Sequence, residues 1–189
     1  MGKSGMIFLL MTLFFATIKR DDAARHANVT ADCDRPERCD VDGFNDWLKV
    51  GNECVNYFNQ KDNFSDAELN CRKQAPGGHL VSVHSEKANH EINCIVKNLN
   101  KTDLRIWLGG YEFFQTSKFS WTDGSKWDFD IWTPGEPNNI FRNNEDCVEM
   151  NWKDTGKWND DSCGVKKNYV CAFKRKCKSK LQTYLDTIE

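Results

Sequence analysis

The chain has 189 residues, with 26 basic and 28 acidic side chains and a formal net charge of −2. That length fits one ordinary domain with processed or flexible ends, and the near-balance of charge removes any global case for a nucleic acid or anionic membrane partner. The hydrophobic fraction is a modest 39%, but aromatics reach 12% and there are seven tryptophans, so large rings must supply much of any core.

The N-terminus reads Met1-Gly-Lys-Ser-Gly, then an apolar run from Met6 to Ile18. One basic residue followed by such a run predicts a signal peptide over residues 1–18. The run is shorter than the roughly 20 residues that span a bilayer, so a membrane anchor is the weaker reading. Ala16, Ala24 and Ala27 are candidate cleavage points, none with a small residue at −3. Residues 19–38 are polar and aperiodic, as in a short N-terminal arm or propeptide. Nine cysteines behind a secretory start imply disulfides. Three Asn-X-Ser/Thr sequons, at Asn28, Asn63 and Asn100, agree with that route and with a glycoprotein.

A globular part is expected from Cys39 to Phe173. Residues 52–60 read as a strand. Ser65 with Glu68 three residues on forms a capping-box pattern, predicting a helix through Ala67, Leu69 and Cys71 that stops before Pro76-Gly77-Gly78. Leu80 to Val83 reads as a short strand, and Ser85-Glu86 opens a second helix whose Ala88, Ile92, Ile95, Val96 and Leu99 share one face. Cys94 falls more than about 90° from that stripe and is expected to face solvent. Beyond Ile106 the helical period disappears. Ile106-Trp-Leu-Gly-Gly reads as a buried strand and Phe119-Ser-Trp-Thr as another, ending at the turn signal Asp123-Gly124. A long stretch rich in Asn, Asp, Gly, Pro and Trp runs on to about residue 145; irregular loops of that length are uncommon unless functional. Val148 to Trp152, Lys157 to Asp160 and Tyr169 to Phe173 close the domain as short strands. The fold class is α+β, two helices with short antiparallel sheets. Lys174 to Lys180 is a basic stretch within a C-terminal tail, 174–189, read as solvated rather than as an anion site.

The chemistry gathers around the long stretch. Glu136-Pro137-Asn138, Asn144-Glu145-Asp146-Cys147 and Trp158-Asn159-Asp160 offer carboxylate and amide oxygens with no His or Cys among the candidate ligands. That set suits a hard cation such as Ca2+, which takes six to eight oxygens, and not zinc or copper. Three carboxylates, Glu136, Glu145 and Asp160, brought together would repel one another without a cation. Glu136 and Glu145 also invite comparison with a glycosidase pair, but that chemistry needs one carboxyl protonated, and no other catalytic motif is present, so no enzyme is expected.

Glu136-Pro137-Asn138, Trp158-Asn159-Asp160 and Trp107-Leu108-Gly109-Gly110, together with the cysteine spacing, resemble the motifs of the C-type lectin domain over residues 39–173. The texture around Trp121-Thr-Asp-Gly-Ser and Pro134-Gly-Glu-Pro-Asn-Asn is most similar to soluble single-domain lectins of fish and related venom lectins. The resemblance implies the pairs Cys39–Cys54, Cys71–Cys171 and Cys147–Cys163. Cys33, Cys94 and Cys177 are then left over; Cys33 and Cys177 are candidates to pair with each other, and Cys94 is the first interchain candidate for a disulfide-linked homo-oligomer.

The resemblance further implies a Ca2+ held by Glu136, Asn138, Glu145, Asn159 and Asp160, with Pro137 cis. Two vicinal sugar hydroxyls would bind the ion, donating to Glu136 and Glu145 and accepting from Asn138 and Asn159. The Glu-Pro-Asn order goes with mannose, fucose and N-acetylglucosamine. Phe141 keeps galactose open, since its ring could stack on a sugar face. An auxiliary calcium site would draw on Asn139, Glu145, Asp146 and Glu112, but Thr116 stands where a further acid is expected. Partners would be glycans on microbial or host cell surfaces, met outside the cell. A calcium-dependent ice-binding protein on the same scaffold is the other alternative, though the extra loop cysteines of such proteins are missing.

Overall fold

The computed structural model describes residues 33, 36–102, 104–140 and 144–175. The architecture below belongs to the unit Arg35–Glu189. The expected signal peptide, the sequon at Asn28, Phe141 and Cys177 lie outside the described residues.

Among the described residues, eight strands and two helices follow in chain order. They are β1 (Leu48–Val50), β2 (Glu53–Asp62), α1 (Phe64–Gln74), β3 (His79–Leu80), α2 (Glu86–Leu99), β4 (Ile106–Glu112), β5 (Phe119–Trp121), β6 (Cys147–Met150), β7 (Trp158–Asp161) and β8 (Lys167–Lys174). The strands lie in the order β1-β2-β8-β4-β6-β7, with β3 paired to β8 and β5 to β4. All pairings are antiparallel except β4 with β8, which run parallel through Ile106↔Asn168 and Trp107↔Tyr169. The expected α+β class holds.

β4 is buried along nearly its whole length because both its faces are covered. Ile106 and Leu108 join a core cluster with Ile92, Ile95 and Val96 of α2. Trp107 points the other way, into a cluster with Phe64, Ala67 and Cys71 of α1. Period-two alternation along one strand thus assigns a helix to each face. The close approach also explains the Gly-Gly that ends the Trp-Leu-Gly-Gly motif. A Cβ on Gly109 would lie 2.5 Å from the Leu80 carbonyl oxygen, and one on Gly110 would lie 2.9 Å from the Trp127 ring.

Three expectations about the helices need correction. Asn63, not Ser65, caps α1: its side chain accepts from the Asp66 N–H at 2.9 Å. Glu68 turns inward, accepting from the Leu80 N–H at 2.8 Å and from Arg72 at 2.7 Å, so the capping-box pattern is used for tertiary contacts. Ser85 does cap α2, accepting from the Ala88 N–H. Cys94, expected at the surface, is 4% exposed. The apolar stripe understates how much of α2 is covered, because the 151–157 turn also packs on it. Asn89 and Asn93 are buried there, and Asn89 donates to the Gly156 carbonyl at 2.9 Å.

The three implied disulfides are present: Cys39–Cys54, Cys71–Cys171 and Cys147–Cys163, with Cα–Cα distances of 5.5, 5.2 and 5.2 Å. Cys33 and Cys94 are both disulfide-bonded as well, so neither is the free interchain thiol expected from the sequence. The basic stretch also begins inside the fold. Lys174 ends β8 and lies 3.6 Å from Asp123, while Arg175 donates to Asp40 at 2.7 Å and its N–H to the Asn52 carbonyl at 3.0 Å.

Of the two described sequons, Asn63 spends one amide hydrogen, on Asp66. Asn100 donates to both Tyr57 and Asn59.

Candidate functional site

The long segment between β5 and β6 has little regular structure, yet aromatic packing fixes its base. Trp158 on β7 is fully buried, and Trp121, Trp127, Phe129 and Trp132 surround it with ring centroids 5.7–6.0 Å away. Its indole N–H donates to Asn89 at 2.8 Å, tying the loop's floor to α2. Tryptophan rings serve here because each buries a large area while keeping one polar contact. From Trp132 the chain turns through Pro134-Gly135, where Gly135 takes φ +95, a value L side chains rarely adopt. The Glu136–Pro137 bond that follows is cis, as the resemblance implied.

Beyond it the loop folds onto β7. Asp160, 1% exposed, accepts from the Asn138 N–H at 3.1 Å and the Asn139 N–H at 2.9 Å. Asn138 Oδ1 and Glu145 Oε2 both accept from the Ile140 N–H, at 3.0 and 2.8 Å. Glu145 is 5% exposed, and its own N–H donates to Asn139 Oδ1 at 3.0 Å. Four of the five residues singled out from the sequence, Glu136, Asn138, Glu145 and Asp160, therefore lie in one cluster. Asn159 is buried beside Asp160 on β7, and its amide donates to Glu149 at 2.9 Å rather than to the other four.

The electrostatics of this cluster are unbalanced. Burial holds the Glu136 carboxyl above the ordinary carboxylate range, and the nearby Asp160 and Glu145 charges push the same way, against Lys153. Glu136 Oε2 is buried with no hydrogen-bond partner. Buried polar atoms are almost always paired, so an orphan carboxylate oxygen beside two more acids marks a place where a cation is favoured. Oxygen-only donors fit a hard divalent ion. The carboxylates do not yet converge, however: among the described residues no group of three or more His, Cys, Asp or Glu side chains is drawn together as a metal cluster.

Of the residues expected at an auxiliary cation site, Glu112, Asn139 and Glu145 are engaged, while Asp146 Oδ1 is buried without a hydrogen-bond partner. Glu112 accepts from the Ser117 N–H at 2.5 Å and from Asn139 Nδ2 at 3.2 Å, and Thr116 Oγ1 donates to the Phe113 carbonyl. Asn139 thus bridges Glu112 and Glu145 through one side-chain amide. Sequence reasoning did not single out Phe113 and Phe114, which are 48% and 82% exposed beside Glu112. Two adjacent phenylalanines at a strand end were the available signal.

Two helices against opposite faces of a disulfide-stapled sheet, with a long acidic loop, define a C-type lectin-like fold. The chain belongs to the C-type lectin family: residues 60–173 match the Lectin C-type domain. It is 37% identical over 128 residues to a "C-type lectin mannose-binding isoform" of Oxyuranus scutellatus, covering 67% of this chain and 80% of that one. It is also 35% identical over 130 residues to a "C-type lectin galactose-binding isoform" of Pseudechis porphyriacus, covering 68% and 82%. Among solved structures, the C-type lectin CEL-I of Cucumaria echinata superposes with a TM-score of 0.63 at 29% identity, over 67% of this chain and 94% of that one.

Proposed function

We propose that this protein is a secreted, calcium-dependent lectin whose sugar site is the Glu136–Asp160 cluster. Glu136, Asn138, Glu145, Asn159 and Asp160 hold one Ca2+, and the ion supplies coordination for two vicinal sugar hydroxyls. The chain's own groups then set the geometry. Glu136 and Glu145 accept the hydroxyl protons, while Asn138 and the second amide hydrogen of Asn159 donate to the hydroxyl oxygens. A sugar whose hydroxyls diverge leaves one of these groups unpaired and binds more weakly. The observation that carries this reading is the orphaned, buried Glu136 Oε2 beside the Asp160 and Glu145 carboxylates.

Mannose-type sugars are preferred, on the Glu136-Pro137-Asn138 order. A galactose preference is the second reading, favoured by a galactose-binding relative of nearly equal identity. Retention on mannose-agarose in calcium, with release by EDTA or free mannose, is expected; retention on galactose-agarose alone would transfer the site to the second reading. Failure on both resins with calcium present would reject the lectin site. The likeness to fish lectins rests on sequence texture alone, and an ice-binding activity would show instead as thermal hysteresis.

The expected arrangement is a disulfide-linked dimer through Cys177. With eight of nine cysteines disulfide-bonded, it is the residue that parity leaves for a second chain. One shallow site binds a monosaccharide weakly, and a second linked site multiplies effective affinity without new contacts. A non-reducing gel should show a dimer in the wild type and a monomer in Cys177→Ser. A wild type that runs as a monomer removes the idea.

A further inference from the structure

Beside the calcium cluster lies a cleft of about 690 Å³ lined by Tyr111, Glu112, Phe113, Phe114, Gln115 and Asp146. We propose that it is a second sugar-contact site, taking the pyranose next to the one bound at Glu136–Asp160. The inference rests on that reading of the first site and extends it from one sugar to a linked pair.

The lining has the chemistry of a sugar ring. A pyranose offers an apolar C–H face and a rim of hydroxyls, and the cleft offers two aromatic rings among carboxylate, amide and phenol groups. Phe113 and Phe114 meet edge to face with centroids 4.4 Å apart, yet they are 48% and 82% exposed. Every tryptophan ring named above is at least partly buried against its neighbours, so these phenylalanines stand apart from the core. The turn that presents them takes positive φ at Phe114 (48) and Gln115 (54). Side chains seldom adopt that conformation, and here it holds out a largely exposed ring.

A second observation points to the same ligand. Asp146 Oδ1 is buried and has no hydrogen-bond partner. It needs a donor, and a sugar hydroxyl is one; an acyl chain or other purely apolar group would leave it unsatisfied. The competing ligand is a second cation, which would have to share or displace the bonds that hold both Glu112 oxygens and the Thr116 hydroxyl. The two sites also share a wall. Glu145 of the first directly precedes Asp146 of the second, and Asn139 joins Glu112 to Glu145. A glycan entering the first site by its terminal sugar has its next ring within reach of the second.

The test is calorimetry on the calcium-loaded full chain, with methyl α-mannoside against an α-linked mannotriose, and methyl galactoside against a galactobiose in parallel. For whichever series binds, the oligosaccharide should bind more tightly than its monosaccharide by about fivefold, as expected for one added aromatic contact. Phe114→Ala should bring that ratio close to one and leave the monosaccharide Kd unchanged. Asp146→Asn should lower the ratio by a smaller factor. An unchanged ratio in Phe114→Ala, or no oligosaccharide advantage in the wild type, overturns the proposal while leaving the first site standing. Two calcium ions per chain would assign the cleft to a cation and overturn it as well. A wild type that binds neither sugar overturns the first site, and this inference with it.

Discussion

Two acidic groups meet at strand β7, one through Asp161 and the other through Asp160, and they are treated oppositely. In one, Glu149 is fully buried and Asp161 partly so. Arg105 grips both oxygens of Glu149, at 2.8 and 2.6 Å, and reaches Asp161 at 2.9 Å. Lys167, its side chain 4% exposed, meets Asp161 at 2.6 Å and Glu149 at 3.3 Å, so two acids face two bases. In the other, the Glu136 carboxyl feels the charges of Asp160 and Glu145, with Lys153 as the base acting on it. Arg105 and Lys167 thus neutralise the first set, whereas in the second, one Glu136 oxygen is buried without a hydrogen-bond partner. A buried ion pair is weak evidence for stability in itself, since desolvation offsets the attraction. Its meaning here comes from the contrast with the orphaned Glu136 oxygen, on which the calcium proposal rests.

The contrast can be broken from either side. The largest effect is expected from Lys167→Met, which leaves Glu149 and Asp161 short of a buried partner and should cost about 3–5 kcal/mol in urea unfolding. Sugar retention by the protein that remains folded should keep its calcium dependence; losing it would merge the two groups. Next, calcium at a hundredfold excess over its Kd should stabilise the wild type by about 2.7 kcal/mol, and Glu136→Gln should lose most of that gain, read as a shift in Tm. The smallest effect has the opposite sign. Because the Glu136 pKa is raised in the fold, its ionised form lowers stability at neutral pH, and protonation restores it as pH falls through that raised value. In EDTA at pH 7, Glu136→Gln should therefore melt slightly above the wild type, by under about 2 °C for so accessible a group, with the gap closing as the pH falls. A lower melting point would show that the empty cluster is not strained by its charges.

Much of the fold was legible because its signals are local. Ser85 caps its helix as read, and the run Ile106-Trp-Leu gives the central strand. Glu136, Asn138, Glu145 and Asp160 are neighbours in sequence motifs and in space, though their role as calcium ligands remains the proposal made above. What was missed depends on partners far along the chain. Asn63 displaced Ser65 as cap because Glu68 is drawn to Leu80, His79 and Arg72. Cys94 is buried with its sulfur in a disulfide and 3.5 Å from His90, which no helical period can announce. The exposure of Phe113 and Phe114 follows from a left-handed turn, and their composition alone would have placed them in the core.

The chain enters and leaves this domain at one place. β2 and β8 pair side by side, Cys71 and Cys171 lock α1 to β8, and Arg175 reaches back to Asp40 and Asn52. None of those contacts draws on the Glu136–Asp160 cluster. Such a module hangs like a pendant from its clasp: it can be strung on a stalk, doubled with a twin or grafted onto a carrier by its ends, while its working face stays unencumbered.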